Sequence, residues 1–164
     1  MTDWDRIVRD HGPTVFAAAW RILGHSADTE DVVQEVFLQA HVMARTEAVR
    51  CWEALLRRLA SCRALDKLRQ RRRPLPLDEA GLIDGPGADP GEIVAERELS
   101  ERLRWALGQL PPREASVFCL RYFDDLPYDE IATSLGISGG AVATALHKAR
   151  AKLEDLLLPT TQEK

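Results

Sequence analysis

A proline- and glycine-rich acidic segment divides this chain of 164 residues into two parts. Residues 74–96 contain four prolines, four glycines and six acidic residues, and they contain no lysine or arginine. Prolines and glycines at this density interrupt both helix and strand periodicity, so the segment is predicted to be a linker. The flanking parts, residues 1–73 and 97–164, each have the length of a small domain. We therefore expect two small domains joined by an acidic flexible tether.

Both flanking parts carry apolar residues at helical spacing, and no segment alternates with a period of two. A first helix is predicted to end at Gly24, which suits a left-handed cap, and a second to begin where Ser26 or Asp28 can cap it. A third is predicted from about Trp52 to Arg72. The expected apolar stripe of the second helix is Val32, Val33, Val36, Phe37 and Ala40. The predicted fold class is therefore all-α.

Composition argues against several classes of protein. No uncharged run reaches the roughly 20 apolar residues of a membrane span, and the first ten residues are too charged for a signal peptide. The chain is therefore expected in the cytoplasm, with no membrane span. Cys51, Cys62 and Cys119 lack the paired spacing of a zinc site, which favours reduced, mostly buried thiols. We expect no metal and no cofactor.

The net charge of −4 hides a strongly basic segment. Residues 57–73 hold eight lysines and arginines against Asp66 alone, a net charge of +7. Arg58, Lys67 and Arg69 are expected near one side of the helix, where they would neutralise phosphates and bind a polyanion in a salt-dependent way. A solvated helix face explains the same charges, so this segment alone does not establish nucleic-acid binding.

Near the C-terminus, the residue pattern fits two helices that cross through a tight turn. Gly136 can adopt positive φ to end the first helix, Ile137 can fill the turn, and Ser138 can cap the second helix. Val142 and Leu146 are then expected to pack back on the core. This pattern predicts a helix-turn-helix, with an ordinary helical hairpin as the alternative.

The second helix of such a motif enters the major groove of DNA and presents its N-terminal residues to the bases. The predicted exposed set is Gly139, Gly140, Ala143, Thr144, Ala145, His147, Lys148, Arg150 and Lys152. Neither Ala143 nor Ala145 can form a bidentate contact with a base edge. Direct sequence readout is therefore expected to be weak.

Taken together, these segments resemble a bacterial RNA polymerase sigma factor of the extracytoplasmic-function (ECF) group. The stretch RILGHSADTEDVVQEVFLQA (21–40) is similar to the family's most recognisable block, and LLRRLASCRALDKLRQRRR (55–73) is similar to its reader of the promoter minus-ten element. Residues 106–153 resemble its minus-thirty-five reader. The resemblance implies a transcription initiation factor without catalytic activity, with domains at 1–73 and 97–164 and the linker at 74–96 between them.

The resemblance also implies partners and contact residues. The clamp helices of the largest polymerase subunit would bind Asp31, Gln34, Glu35 and Phe37, and the polymerase flap would bind the C-terminal domain. Promoter minus-ten DNA would contact Arg58, Cys62, Arg63, Asp66, Lys67 and Arg69. Promoter minus-thirty-five DNA would contact Ser138, Gly139, Gly140, Thr144, His147, Lys148 and Arg150. An anti-sigma factor would be a further partner, and we expect packed domains to indicate an inhibited state.

Three departures from the family pattern bear on these assignments. Leu55 stands where the family usually has Trp, Cys62 where it has Asn, and Ala143 with Ala145 where it has basic residues. The first two bear on capture of an unpaired base. The third leads to the hypothesis that upstream readout is weak or altered and leans on polymerase and the minus-ten contacts.

Alternatives remain open from the sequence alone. The linker, by resemblance, would thread the polymerase cleft, but a plain spacer explains its composition equally well. The polar residues at 31, 34 and 35 could be a solvated face. A helix-turn-helix regulator that acts without polymerase would need only the C-terminal domain. An enzyme would need Asp31 and Glu35 as metal ligands, with His11, His25, His41 or His147 as partners.

Overall fold

The computed structural model describes residues 1–70 and 90–158, and all regular structure within these ranges is helical, as predicted. The helices are α1 (Trp4–Leu23), α2 (Ser26–Ala44), α3 (Trp52–Gln70), α4 (Pro90–Gln109), α5 (Pro112–Tyr122), α6 (Tyr128–Leu135) and α7 (Gly139–Leu157). We call α1–α3 the N-terminal bundle and α4–α7 the C-terminal bundle. The predicted helical residues Arg71 and Arg72, and residues 74–89 of the predicted linker, lie outside the described residues.

The caps of α1 and α2 follow from local sequence, with one correction. Gly24 ends α1 with a φ of 58°, in the left-handed region that favours glycine, as predicted. The predicted caps of α2, Ser26 and Asp28, are wrong, because Ser26 is already helical and His25 is the N-cap. The His25 ring nitrogen accepts a hydrogen bond from the Asp28 amide at 3.4 Å. An imidazole here takes the role that a hydroxyl or carboxylate usually has.

The N-terminal bundle buries the predicted apolar stripes. Val32, Val36 and Ala40 of α2 are fully buried, and Val33 and Phe37 pack partly against the same core. Leu56, Leu59 and Leu65 of α3 enter that core from the other side. Full burial of one such side chain contributes roughly 1.5–3 kcal/mol, so this core is a major source of the bundle's stability.

The C-terminal bundle begins within the predicted linker. Pro90 is the first residue of α4, so residues 90–96 are helical and only the part before them keeps its predicted linker status. Proline suits a first helical position, because the backbone donor it lacks would have no helical partner there. Pro127 was predicted in the first turn of α6, but it is the N-cap residue that precedes the helix.

The predicted helix-turn-helix is confirmed in its details. Gly136 ends α6 with a φ of 65°, and the Ser138 side chain caps α7 by accepting from the Ala141 amide at 3.1 Å. Val142 and Leu146 are buried together with Ile131 in a small apolar cluster. The turn therefore has the crossing geometry that the sequence pattern predicts.

The two bundles pack on each other, and the larger apolar cluster is shared between them. It joins Leu65 and Leu68 of α3 to Leu107 and Leu110 at the end of α4 and to Cys119 of α5. Where α3 meets α4, no side chain separates the Gly108 backbone from Leu68, and a Cβ at Gly108 would lie 3.7 Å from Leu68 Cγ. Helix α3 is thus buried between α1 and α2 on one side and α4 and α5 on the other.

Candidate nucleic-acid interface

A polar row lies on the outer face of α2. Asp31, Gln34 and Glu35 are all exposed, as predicted. Phe37, predicted to act with them, instead packs partly against the core of the N-terminal bundle. The structure therefore brings three of the four residues together on the surface and gives Phe37 a packing position beneath them.

The row continues into two exposed apolar side chains that the sequence reading missed. Leu38 is 68% exposed and Val42 is 62% exposed. Their spacing from Asp31 and Glu35 follows the helical repeat, so 31, 35, 38 and 42 share one face of α2. Exposed large apolar residues beside polar ones are typical of a protein-binding surface. The same spacing, read outward from Asp31, could have found them in the sequence.

A lysine from α3 joins this face. Lys67 Nζ lies 3.4 Å from Asp31 Oδ2 and 3.9 Å from Glu35 Oε1. The two carboxylates therefore already share a cation, which argues against the alternative in which they hold a metal ion. Among the residues described, no group of His, Cys, Asp and Glu is arranged as a metal site.

The predicted common side for Arg58, Lys67 and Arg69 is wrong for the lysine. While Lys67 turns to α2, Arg58 donates to the Ser134 carbonyl at 3.4 Å and Arg69 donates to the Leu110 carbonyl at 3.2 Å. Nine residues separate Arg58 from Lys67, which is two and a half turns at 3.6 residues per turn and so points the two in opposite directions. Arg58 and Arg69, eleven residues apart, share a side.

The remaining predicted minus-ten residues surround the same helix. Arg63 donates to Gln39 of α2 at 2.9 Å, and Asp66 is exposed. A polar cleft of about 390 Å³ opens between α2 and α3, lined by Glu35, Arg63, Asp66, Lys67, Arg69 and Gln70. With three cations and two acids, this cleft is mixed in charge rather than uniformly basic.

Cys62 lies on the side of α3 that faces the C-terminal bundle. Burial raises the pKa of its thiol, although Arg58 works in the opposite direction. A thiol with a raised pKa is protonated at neutral pH and is a poor nucleophile. Cys119, fully buried nearby, is protonated for the same reason, since burial raises its pKa as well. Cys51 is exposed, so the expectation of mostly buried thiols is correct for two of the three.

On α7, the recognition surface is close to the predicted one, with one correction. Gly139, Gly140, Thr144, His147, Lys148 and Arg150 are exposed, together with the capping residue Ser138. Ala145 is not exposed, because it is 5% accessible and packs in the cluster beneath the turn. Arg150 Cζ lies 5.3 Å from the Tyr122 ring centroid, a cation–π arrangement. Ala143 alone therefore marks a vacant place on the reading face.

No helix in the ranges 1–70 and 90–158 is long and apolar enough to cross a membrane. The described residues instead form an exposed polar and apolar row on α2, a basic α3 beside it, and a helix-turn-helix.

Comparison with known proteins places these features in a family. Residues 7–74 match the model of sigma-70 region 2, and residues 100–153 match that of sigma-70 region 4. The ECF RNA polymerase sigma factor SigE of Mycolicibacterium smegmatis is 30% identical over 99% of this chain and 65% of its own length. SigW of Bacillus subtilis is 29% identical over 92% of this chain and 87% of its own length. The chain thus spans just under two thirds of SigE but most of SigW.

Solved structures agree with the sequence comparisons. CnrH in complex with the cytosolic domain of CnrY has a TM-score of 0.63 and 27% identity, covering 94% of this chain and 86% of that one. The Bartonella quintana sigma factor RpoE in complex with the anti-sigma factor NepR has a TM-score of 0.59 at 18% identity, covering 99% of this chain and 100% of that one, which supports the fold alone. Both sigma-70 regions, in order and on the expected helices, are present. The chain belongs to the extracytoplasmic-function group of RNA polymerase sigma factors.

Proposed function

We propose that this chain binds core RNA polymerase through α2 and directs it to promoters, without a catalytic step of its own. The observation that carries the proposal is the exposed row of Asp31, Gln34 and Glu35, which continues into Leu38 and Val42. Carboxylate and amide groups can form charge-assisted hydrogen bonds with an arginine-rich partner helix. The apolar pair supplies area that gains stability when a partner covers it.

The test of this surface is association with core polymerase. A variant with Asp31, Gln34 and Glu35 all changed to Ala is expected to bind at least about tenfold more weakly, because a single hot-spot residue contributes about 2 kcal/mol or more. Asp10→Ala, which removes an exposed carboxylate from α1, is the matched control and should bind like the wild type. Unchanged association of the triple variant would favour the regulator that acts without polymerase.

In the same proposal, α3 contacts the minus-ten element and α7 contacts the minus-thirty-five element. The alternative regulator is not favoured, because the region 2 match covers the N-terminal bundle, which such a regulator would not need. Upstream readout is proposed to be weak, since Thr144, His147, Lys148 and Arg150 are the exposed polar groups of α7 beyond its first turn and Ala143 offers none. A holoenzyme footprint whose strong upstream protection vanishes in Lys148→Ala would contradict this part.

Further partners follow from the relatives. Both solved neighbours are complexes, and the partner bound to RpoE in one of them is an anti-sigma factor, so we propose that this chain too is held by an anti-sigma protein. The C-terminal bundle is proposed to dock on the polymerase flap. Residues 1–73 and 97–164 would act as the polymerase- and promoter-binding domains, and the acidic segment between them would span the distance. The site of action would be the cytoplasm, where polymerase works.

A further inference from the structure

The side of α3 proposed to contact minus-ten DNA is covered by the C-terminal bundle. Arg58 and Arg69 both donate to main-chain carbonyls of that bundle. Cys62 between them is largely buried against α5, where its thiol is hydrogen-bonded to Ser116. A DNA strand cannot reach these side chains while the bundles are packed in this way.

The acceptors of these arginines share one property, which is that they lie at helix C-termini. Leu110 directly follows the last residue of α4, and Ser134 is in the last turn of α6. A third arginine, Arg21 of α1, donates at 2.7 Å to the carbonyl of Phe123, the C-cap of α5. The last carbonyls of a helix lack helical donors and carry the negative end of the helix dipole.

A carboxylate completes this acceptor surface. Asp124, the residue after the α5 cap, is 6% exposed and accepts a 2.8 Å hydrogen bond from the Ser61 hydroxyl of α3. The guanidinium groups of Arg57 and Arg21 also act on this carboxylate. Three helix ends and one buried carboxylate of the C-terminal bundle thus meet the basic side of the N-terminal bundle.

We propose that this packing is a self-inhibited state, in which the C-termini of α4, α5 and α6 and the Asp124 carboxylate occupy the positions that DNA phosphates take on α3. Carbonyl oxygens at a helix C-terminus and phosphate oxygens are both negative acceptors for guanidinium donors. Separation of the bundles exposes Arg58 and Arg69, and DNA binding depends on that separation. The inference rests on the proposed role of α3 in DNA binding and adds an internal competitor for it.

The test uses the full chain without polymerase and opens the interface at Asp124. Asp124→Lys places an ammonium group beside Arg57 and Arg21, so the bundles are expected to separate. Asp155→Lys, on an exposed position of α7, has the same change of charge and leaves the interface intact. Asp124→Asn keeps an acceptor for Ser61 and is expected to stay closed. The readouts are the radius of gyration from small-angle X-ray scattering and anisotropy of fluorescein-labelled single-stranded oligodeoxythymidine.

Opening is expected to raise the radius of gyration and the affinity for the oligonucleotide together. If one wild-type chain in ten is open, full opening gives about a tenfold gain in affinity, because apparent affinity scales with the competent fraction. Asp155→Lys and Asp124→Asn should show neither change. The proposal is overturned if the wild type is already extended, if Asp124→Lys expands without a gain in affinity, or if Asp155→Lys gains as much.

A second variant protects the test against misfolding. Arg21→Ala removes an exposed side chain whose guanidinium holds the Phe123 carbonyl, so its α1 helix should remain folded while closure weakens. It should shift both readouts in the same direction as Asp124→Lys, and no shift in either would count against the proposal. Polymerase association, measured separately, tests the proposed function. A chain that ignores polymerase but gains oligonucleotide affinity on opening would overturn that function and leave this inference standing.

Discussion

The hydroxyl of Ser61 donates a 2.8 Å hydrogen bond to the carboxylate of Asp124, and the two residues belong to different bundles. Both are buried, with Ser61 at 1% and Asp124 at 6% accessibility. A buried carboxylate needs donors, since its desolvation is costly when they are missing. This contact therefore couples the side chains of α3 to the end of α5 across the interface.

Removal of the Ser61 hydroxyl should destabilise the packed chain. Ser61→Ala leaves the Asp124 carboxylate without this donor, and an unsatisfied buried group costs about 1–3 kcal/mol. Urea unfolding followed by circular dichroism measures the change. Ser26→Ala is the matched control, because Ser26 is exposed and is not the cap of α2, and it should change the unfolding free energy by less than about 0.5 kcal/mol. Equal effects of the two would disprove the buried role of Ser61.

Asp124 should make stability depend on pH in a defined direction. Burial raises the pKa of its carboxyl, and the Ser61 hydrogen bond and the charges of Arg57 and Arg21 only partly oppose this. The packed chain therefore binds a proton at Asp124 more tightly than the unfolded chain does. The ionised group opposes packing at pH above its packed-state pKa, and this opposition fades as pH falls toward its unfolded pKa.

The matched variant for this prediction is Asp124→Asn, which has no titrating group. It should be more stable than the wild type at neutral pH, and the difference should shrink as the solution is made mildly acidic. Urea unfolding of both chains across this pH interval gives the comparison. A difference that grows on acidification would have the wrong sign for a raised pKa.

Gly24 should tolerate a side chain less well than Gly136, although both have positive φ. A Cβ at Gly24 would lie 2.4 Å from the guanidinium carbon of Arg104, whereas a Cβ at Gly136 would meet nothing within 4 Å. Gly136→Ala should cost about 1–2 kcal/mol of backbone strain. Gly24→Ala should cost about 1 kcal/mol more, because Arg104 loses its bond to the Arg21 carbonyl.

Thermal unfolding of the two glycine variants in wild-type and Arg104→Ala backgrounds measures this difference. Without the guanidinium, the two substitutions should cost the same. A gap between them that persists in the Arg104→Ala background would show that Arg104 is not its cause.

Alanines 143 and 145 should respond oppositely to arginine. Ala143 is exposed on the reading face of α7, so Ala143→Arg should fold normally and bind upstream DNA more tightly, with a gain of up to about 1–3 kcal/mol where it reaches a base pair. Ala145 is buried, so Ala145→Arg should cost several kcal/mol of stability by forcing a cation into the core. Thermal melts and electrophoretic mobility shifts of the holoenzyme distinguish the two. Similar melting of both variants would mean that Ala145 is exposed after all.

The features predicted correctly from sequence are those set by short-range chemistry. The left-handed caps at Gly24 and Gly136 and the Ser138 cap depend on residues within one helical turn, and each is where the pattern predicts it. The cap at His25 was missed because imidazole seldom has that role, although its position before the helix is the same.

The features that sequence reading missed depend on which helices meet. Ser61 and Asp124 are 63 residues apart, and Arg21 and Phe123 are 102 residues apart, so no local pattern links them. The burial of Ala145 depends likewise on how α7 lies on the small cluster. A basic helix read alone also leaves open whether its arginines face solvent or, as with Arg58 and Arg69, another part of the chain.

The central claim is that this chain confers promoter-specific initiation on core polymerase through the exposed row of α2. The direct measurement is run-off transcription with purified core polymerase, this chain and a library of promoter fragments. We predict discrete transcripts from a subset of promoters with the wild type and with Asp10→Ala, and their loss when Asp31, Gln34 and Glu35 are changed to Ala. Transcripts undiminished in the triple variant, or no stimulation by the wild-type chain on any promoter, would contradict it.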